Sequence, residues 1–445
     1  MGALFGTDGA RGVANTELTC HTAYRLGQAA VAFMGRTIVV GKDTRLSGDM
    51  LEAAVAAGVM SLGGTVLDAG IIPTPAIALI TRQLHADAGI VISASHNPPQ
   101  YNGIKFFDGQ GFKLPVATEQ QIERFVLDPQ AGADLLAAGD AVGVVVPIEN
   151  ATELYVQHAV DAITAQGISF AGWKIALDTG HGASSATTRE ALERLGADVT
   201  VINDDFDGTD INVDCGSTHL GPLKELVARI GADVGIAHDG DADRVMLVDA
   251  EGNELDGDAI EAVCAVDMKE RGVLAGDTAV STVMCNLGFR KAMRAHGIAV
   301  ERTQVGDRHV LERMREGGFS IGGEQSGHMI FLDYNSTGDG LMTACLFLAA
   351  CVRAHKTAAE AGRLMERCPQ VLENIPVADK DAFAGNPAIA QAVAAEEAAL
   401  GDDGQVLVRA SGTEPLIRVM VEAADIDAAQ QAADRIAAVV RSELS

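Results

Sequence analysis

Short apolar, strand-like runs alternate along this chain with longer helix-like segments from residue 37 to residue 321. Such alternation predicts βαβ units and largely parallel sheets. The pattern occurs in three similar copies, each with three strands. The predicted strands are Thr37–Val40, Thr65–Asp68 and Gly89–Ile92 in the first copy, Lys174–Leu177, Asp198–Ile202 and Asp233–Ala237 in the second, and Thr278–Ser281, Ala299–Thr303 and Phe319–Ile321 in the third.

Helices are predicted between these strands. In the first copy, Ser47 is a plausible N-cap of the following alanine-rich helix, and the Gly63-Gly64 pair is a plausible stop. The helices predicted in the other two copies are Ser184–Leu195, Pro222–Ile230, Leu287–His296 and Asp307–Glu316.

The last part of the chain has a different order of elements. A strand at Val371–Val377 and a helix at Pro387–Leu400 precede two strands, Gln405–Arg409 and Leu416–Glu422, and a final helix, Asp425–Ser442. The sequence therefore predicts an α/β fold, with three similar mixed-sheet α/β domains and a smaller C-terminal α+β domain around a central cleft. The expected domain boundaries are 1–150, 151–252, 253–367 and 368–445.

Composition narrows the classes of function. The chain has 445 residues, too many for a single core. Its 33 basic and 61 acidic residues leave a net charge of −28, which argues against nucleic acid and anionic membranes as partners. The seven cysteines form no CxxC pair and are odd in number, which argues against a disulfide framework or a structural zinc site. The N-terminus has no signal-peptide pattern and no apolar run approaches ~20 residues, so a cytoplasmic location is expected.

Three polar loops each follow the third strand of their own copy. They are Ser93–Pro98, Asp239–Arg244 and Gly322–His328. Open α/β folds bind ligands at the carboxyl ends of their strands. Equivalent strand ends of three similar modules are expected to converge, so the loops predict one shared cleft.

Ser95 is the candidate reactive hydroxyl of the first loop. A serine hydroxyl is a weak nucleophile, which needs a base or a strong electrophile such as a metal-bound phosphoryl group. Ser93 is the rival candidate, although it lies deeper along the strand. The loop could also be a simple turn in which the serine caps the next segment.

Asp239, Asp241 and Asp243 are candidate ligands of a hard cation, because alternate carboxylates on an extended loop can converge on one ion. An EF-hand beginning at Asp239 would need glycine at its sixth position and glutamate at its twelfth, where this chain has Arg244 and Ala250. Three carboxylates without a nearby lysine repel one another, so bound Mg²⁺ is the simpler explanation of their proximity. Arg244 could hold a phosphate beside the ion.

Other segments add candidates for binding a sugar phosphate. Glu324 and Ser326 can hydrogen-bond vicinal hydroxyls, although many glycine-rich turns carry such residues without a catalytic reason. The hydroxyls of Ser411 and Thr413, with tight-turn N–H groups and flanking arginines, could form a phosphate site or a plain polar turn. Arg11 and Lys105 could bind phosphate, transfer protons near Ser95, or be surface charges.

Together these motifs resemble the α-D-phosphohexomutase superfamily, and the resemblance extends from Gly6 to Arg418. It implies that Ser95 carries a phosphoryl group and that Mg²⁺ binds Ser95 with the three aspartates. Lys105 and Arg11 are the residues expected to transfer protons. The substrate-binding residues that the motifs imply are Arg244, Glu324, Ser326, His328, Arg409, Ser411, Gly412, Thr413 and Arg418.

Within that superfamily, Gln325 and the Gly6–Gly12 loop are most similar to the bacterial members that act on glucosamine phosphates. The resemblance implies interconversion of glucosamine 6-phosphate and glucosamine 1-phosphate through a sugar 1,6-bisphosphate, which would feed UDP-N-acetylglucosamine and cell-wall precursor synthesis. Three alternatives stay open at this point: a mutase for glucose or mannose phosphates, a serine-dependent phosphatase, and a non-enzymatic sugar-phosphate-binding protein. A homodimer is one assembly that the sequence allows.

Overall fold

The computed structural model of the chain describes residues 4–6, 9–411 and 415–444. In this part of the chain the strands form sheets of six, five, four and three strands. The first three sheets are mixed and flanked by helices, and the fourth is antiparallel. The predicted α/β fold class is confirmed. No helix among the described residues is long and apolar enough to cross a membrane.

The first sheet has the strand order β1-β5-β4-β2-β3-β6. Its parallel centre is made by β2, β3 and β4, with β5 antiparallel to β4. The strands are β1 (Ala10–Val13), β2 (Thr37–Lys42), β3 (Thr65–Ile71), β4 (Ala88–Ile92), β5 (Tyr101–Asp108) and β6 (Val145–Pro147), and the helices of this part are α1 (Cys20–Phe33), α2 (Gly48–Ser61), α3 (Thr74–Gln83) and α4 (Val116–Leu127).

The second sheet repeats that arrangement in the order β11-β10-β9-β7-β8. Its strands β7, β8 and β9 are parallel, and β10 returns antiparallel to β9. The elements are α5 (Ala151–Thr164), β7 (Lys174–Asp178), α6 (Thr188–Arg194), β8 (Asp198–Ile202), α7 (Gly221–Ile230), β9 (Val234–His238), β10 (Val245–Asp249) and β11 (Glu254–Leu255).

The third sheet has the order β13-β12-β14-β15, and the fourth has the order β16-β18-β17. The third sheet and its helices comprise α8 (Gly257–Glu270), β12 (Thr278–Thr282), α9 (Leu287–Ala295), β13 (Ala299–Thr303), α10 (Asp307–Gly317), β14 (Ile321–Gly323), β15 (Met329–Phe331), α11 (Gly340–Ala354) and α12 (Ala358–Gly362). The C-terminal elements are β16 (Gln370–Pro376), α13 (Pro387–Leu400), β17 (Gln405–Ala410), β18 (Leu416–Glu422) and α14 (Ile426–Leu444).

One continuous hydrophobic core joins the first three sheets. Helices α3, α5, α8 and α11 all contribute buried side chains to it, among them Ile77, Tyr155, Ile260 and Phe347. A shared core of this kind holds the modules in a defined relation, because close-packed side chains resist sliding. The C-terminal sheet has a separate core, to which α14 contributes one apolar face. The loops of the first three sheets are therefore carried on one packed framework.

Two local expectations were wrong in detail. Ser47 occupies the N-cap position of α2, as predicted, but its side chain makes no capping hydrogen bond. Its hydroxyl instead accepts a hydrogen bond from Asn102 Nδ2 at 2.9 Å, a tertiary partner. The helix expected over Ser184–Leu195 is broken at Thr187, where φ is −119°, and a 3-10 turn at Ala183–Ala186 precedes α6. Thr187 Oγ1 donates to the carbonyl of Ser184 at 3.3 Å, and such local bonds compete with a continuous helix.

Candidate active site

The first polar loop leaves the carboxyl end of β4, whose residues are all buried. Ser95 has φ +53°, a left-handed conformation that is uncommon outside glycine. Its side chain faces the second loop, and Ser95 Oγ donates to Asp239 Oδ2 at 2.5 Å. The Ser93 hydroxyl donates instead to Asp43 Oδ2 at 2.6 Å and accepts from the Ser95 N–H at 2.9 Å. Of the two candidate serines, only Ser95 hydrogen-bonds to a carboxylate of the acidic loop.

The second loop follows β9 and carries the three aspartates. Asp239, Asp241 and Asp243 are all buried, and a ligand oxygen of each lies within 4.8 Å of those of the other two. Thr74 Oγ1 donates to Asp241 Oδ2 at 2.6 Å, which orients that carboxylate. Asp241 Oδ1 and Asp243 Oδ1 are buried without a hydrogen-bond donor. Buried carboxylate oxygens normally have a hydrogen-bond partner. These two oxygens therefore suit a hard cation that prefers oxygen ligands.

Lys105 lies beside these aspartates in space, although it is far from them in the sequence. It lies on β5, the antiparallel strand that returns from the first loop. Its Nζ is 2.8 Å from Asp241 Oδ2 and 3.4 Å from Asp243 Oδ2, and the side chain is almost fully buried. The expectation that no lysine stands near the carboxylates was therefore wrong in space, because strand pairing brings residue 105 to them. Lys105 supplies one positive charge to a cluster of three carboxyl groups.

The pKa values of Asp239 and Asp243 are shifted in opposite directions. Burial raises the pKa of Asp239 well above its usual range, and the neighbouring Asp243 and Asp241 raise it further. Burial also disfavours the charged form of Asp243, but Lys105 and His328 outweigh it and hold the pKa of that carboxyl below its usual range. Of Asp239 and Asp243, it is thus Asp239, the residue that contacts Ser95, whose ionised form is disfavoured.

The third loop lies against the second. The N–H of Val245 donates to the carbonyl of Gly327 at 3.1 Å, so the two loops are joined through their backbones. Glu324 Oε1 accepts from the N–H of Gly306 at 3.0 Å, and Ser326 is exposed. His328 is buried, with Nδ1 3.7 Å from Asp243 Oδ1. The predicted contact of His328 with the sugar stays a prediction; in the structure its ring lies beside Asp243 of the acidic loop.

Two further charged residues flank the cluster. Arg244 follows the last aspartate, and its Nε lies 3.8 Å from Asp243 Oδ1. Arg11 lies on β1 and packs over the open backbone of Gly103, where a Cβ would come within 3.0 Å of its Cγ.

His96 was not among the predicted site residues, yet its Nδ1 lies 3.4 Å from Ser95 Oγ. Burial lowers the pKa of His96 to about 4, with help from Arg244 and Arg11, so the ring is neutral at pH 7.

The predicted phosphate loop lies in the C-terminal part of the chain. Arg409 on β17 and Arg418 on β18 are directly opposed in the antiparallel register. Like charges in that position destabilise a sheet, and an anion between them would relieve the repulsion. Ser411 is buried, and its carbonyl accepts from Lys380 Nζ at 3.0 Å. Gly412 and Thr413, also predicted to bind phosphate, lie outside the described residues.

The C-terminal sheet docks on the third module through Glu422. Its carboxylate accepts from the N–H of Leu287 at 2.7 Å and from Asn286 Nδ2 at 2.9 Å. Glu422 thereby provides acceptors at the N-terminus of α9, where a negative charge is favoured. The contact ties the strand that carries Arg418 to the module that carries the third loop.

Comparison with known proteins agrees with this architecture. Models of the phosphoglucomutase/phosphomannomutase family match in four parts: alpha/beta/alpha domain I at residues 2–131, domain II at 153–252, domain III at 256–368 and the C-terminal domain at 372–439. The four domains thus follow one another along the chain in the order of a single family. The chain belongs to the phosphoglucomutase/phosphomannomutase family.

Its curated relatives are similar over their whole length. The phosphoglucosamine mutase of Carboxydothermus hydrogenoformans is 48% identical over 445 residues, which is 99% of each chain. That of Symbiobacterium thermophilum is 49% identical over 453 residues, covering 100% of both chains. These homologues are isomerases of the intramolecular phosphotransferase type.

Solved structures share the fold. A putative phosphomannomutase from Thermus thermophilus has a TM-score of 0.80 at 25% identity and covers 98% of each chain. An N-acetylphosphoglucosamine mutase from Aspergillus fumigatus, in complex with GlcNAc-6P and magnesium, has a TM-score of 0.71 at 18% identity and covers 99% of this chain and 96% of that one. At that lower identity the likeness shows the fold alone.

Proposed function

We propose that this chain interconverts glucosamine 6-phosphate and glucosamine 1-phosphate. The observation that carries the proposal is the buried contact of 2.5 Å between Ser95 Oγ and Asp239, within a cluster of three carboxylates. That arrangement presents one hydroxyl to one cation site, as phosphoryl transfer requires. The full-length phosphoglucosamine mutase relatives support the amino sugar as substrate.

The acidic cluster fits a Mg²⁺ ion. Asp239, Asp241 and Asp243, with the oxygen of Ser95, would hold it, and the donor-free oxygens of Asp241 and Asp243 are available for it. All these ligands are oxygens, which Mg²⁺ prefers. When bound, the ion supplies positive charge beside the phosphoryl group in transit.

In the proposed reaction, Ser95 carries a phosphoryl group and transfers it to the free hydroxyl of the bound sugar phosphate. The O–P bond to Ser95 breaks, a new O–P bond forms on the sugar, and the proton of the attacking hydroxyl ends on the Ser95 oxygen that leaves. Lys105 and Arg11 are the proposed residues for proton transfer at that step. The product is a sugar 1,6-bisphosphate. Return of its other phosphoryl group to Ser95 completes the isomerisation without net loss of phosphate.

A bisphosphate that reacts at either end must turn around between the two transfers. Glu324 and Ser326 are proposed to bind sugar hydroxyls in both orientations, with Arg244 and His328 at the border of the acidic loop. The opposed guanidinium groups of Arg409 and Arg418 are proposed to hold the phosphate that is not reacting, with Ser411, Gly412 and Thr413. A second anion site of this kind separates a mutase from a phosphatase, because it retains the intermediate.

A comparison of substrates tests the proposal. We expect kcat/KM to be about tenfold higher for glucosamine 1-phosphate than for glucose 1-phosphate, since a charged amino group gains about 1–2 kcal/mol from one carboxylate partner. The measurement is a coupled assay under identical priming with the corresponding 1,6-bisphosphate. Equal values, or a preference for glucose, would assign the chain to the branch of the family that acts on neutral hexose phosphates.

We further propose a cytoplasmic location and four domains with boundaries near residues 150, 252 and 367. The net charge of −28 argues against nucleic acid and anionic membranes as partners. A homodimer is the proposed assembly to be tested, and light scattering of the purified protein measures it directly.

A further inference from the structure

Arg45 lies between β2 and α2, outside every motif considered above, and its side chain is fully buried. All of its N–H donors are engaged. The Nη2 group donates to the carbonyls of Ser95 at 2.8 Å and Asn97 at 2.7 Å. The Nη1 group donates to the carbonyls of Pro98 at 2.6 Å and Tyr101 at 3.0 Å. One guanidinium thus binds three backbone carbonyls of the loop that carries the proposed phosphoserine and a fourth at the start of β5.

The remaining donor of Arg45, Nε, bonds to Asp43 Oδ2 at 2.9 Å. The same oxygen accepts from Ser93 Oγ at 2.6 Å, and Ser93 Oγ in turn accepts from the N–H of Ser95 at 2.9 Å. Asp43 therefore holds the N–H of Ser95 through the Ser93 hydroxyl, and Arg45 holds the Ser95 carbonyl directly. The two residues follow β2, the strand next to β4, so they reach the loop from a rigid element.

Ser95 needs such support because of its backbone. A non-glycine residue at φ +53° costs about 1–3 kcal/mol relative to ordinary conformations. The second module adds one more bond, from Asn212 Nδ2 to the Ser95 carbonyl at 2.9 Å. A Cβ on Gly240 would come within 2.9 Å of that same carbonyl oxygen, so the acidic loop packs directly on it. Small movements of the Ser95 peptide unit would therefore change the approach of its hydroxyl to Asp239.

We propose that Arg45, anchored by Asp43, is a positioning residue for phosphoryl transfer, which sets the left-handed conformation of Ser95 and so aims its hydroxyl at the acidic cluster. The inference rests on the proposed function, because it takes Ser95 as the phosphoryl carrier. Lysine cannot replace Arg45 in this role, since an ammonium group has three donors and no planar fork. The geometry needs five donors in fixed directions.

The alternative role of Arg45 is support of the fold alone, and Arg25 offers a matched control. Arg25 is also buried in the first module. Its guanidinium donates to the carbonyls of Phe125, Asp128 and Ala131 and to Gln28 Oε1, with no contact to the Ser95 loop among these bonds. Arg25→Lys therefore removes a similar carbonyl-binding group and measures the purely structural cost.

The test compares Arg45→Lys with Arg25→Lys. We expect both variants to lose thermal stability, and only Arg45→Lys to lose kcat, by about 100-fold, because a misplacement of about 1 Å can cost that much. KM for the sugar phosphate should change less than threefold, and Mg²⁺ affinity less than twofold. Asp43→Asn keeps the shape of the anchoring side chain and should lower kcat about tenfold. This variant replaces Arg45→Lys in the test if Arg45→Lys does not fold. Equal kcat in Arg45→Lys and Arg25→Lys would overturn the proposal.

A crystal structure of the Arg45→Lys variant, or of Asp43→Asn, gives a readout that needs no activity. We expect the Ser95 hydroxyl to move away from Asp239 by more than 1 Å; an unchanged Ser95 conformation would overturn the positioning role. If the native chain acts on glucose rather than glucosamine phosphates, only the proposed substrate is refuted. The Arg45 variants are then compared on the sugar phosphate that the native chain does turn over. If the native chain has no mutase activity, the proposed function is refuted. The conformation of Ser95 in the variant crystal structures would still show whether Arg45 positions Ser95.

Discussion

Replacing Lys105 by methionine tests how the acidic cluster is held together. Methionine keeps an unbranched side chain and much of its volume, and it removes the terminal ammonium group and its charge. At an effective dielectric constant of about 20, the distances of 2.8 Å to Asp241 and 3.4 Å to Asp243 correspond to attractions of about 6 and about 5 kcal/mol. Part of this attraction only offsets the burial of the ammonium group. The net loss expected on breaking such a buried pair is about 3–5 kcal/mol.

The expected result depends on Mg²⁺. In a chelator, Lys105→Met should lower the midpoint of thermal unfolding by roughly 10 °C, since a few kcal/mol in a domain of this size shift it by that much. Saturating Mg²⁺ should restore most of the loss, because the ion then neutralises the carboxylates that Lys105 leaves unpaired. For the same reason Mg²⁺ should bind more tightly to the variant than to the native chain. The kcat should fall about 100-fold or more, as expected on losing a proton-transfer group.

The assays are scanning calorimetry with and without Mg²⁺ and titration calorimetry for the ion. Lys42→Met is the matched control, because Lys42 pairs with Glu52 and lies 2.8 Å from Asp49 in the same module. That variant should lose stability equally in chelator and in Mg²⁺. If Lys105→Met lost the same stability under both conditions, or bound Mg²⁺ no more tightly, Lys105 would not be the counter-charge of the cluster.

Three further outcomes are expected. Ser95→Ala should abolish mutase activity and leave no phosphate on the purified protein by mass spectrometry; normal turnover with the phosphate on Ser93 would contradict the assignment. Arg418→Ala should raise KM at least tenfold with a smaller change in kcat, because it removes half of the opposed pair with Arg409; an unchanged KM would place the anion site elsewhere. Burial raises the pKa of Glu422 to about 7, against the opposing effect of the Leu287 N–H. Because that pKa exceeds the ordinary value of about 4.5, protonated Glu422 stabilises the folded protein, by about 3 kcal/mol in all. This stabilisation is complete below pH 4.5 and is lost as the pH rises through 7. Calorimetry from pH 5 to pH 8 should therefore show a steeper fall for the native chain than for Glu422→Gln, and parallel curves would refute this linkage.

Local pattern was a sound guide to the elements of this fold. The strands predicted at Asp198–Ile202, Ala299–Thr303 and Leu416–Glu422, and the helix at Pro387–Leu400, have the same bounds in the structure. These segments are set by hydrophobic periodicity and by nearby glycine and proline, all of which act within a few residues. The antiparallel strands β5, β10 and β15, which return directly after the three loops, were not predicted individually. Pairing partners of short strands are chosen by tertiary packing, so their direction is not visible in the local pattern.

The candidate site divides in the same way. By itself the sequence determined where the polar loops stand relative to their strands, and strand ends in such folds meet at one edge. It therefore singled out Ser95 and the three aspartates without a structure. Only the tertiary structure brought Lys105 to Asp241, because strand β5 pairs beside β4 and carries residue 105 back to the loop. Likewise only the tertiary structure showed Arg45 bound to carbonyls of the Ser95 loop and of the start of β5, since its partners stand 50 to 56 positions further along the chain. Charges and hydrogen bonds act over a few ångströms in space, whatever the separation in sequence, so contacts of this kind are decided by the folded backbone alone.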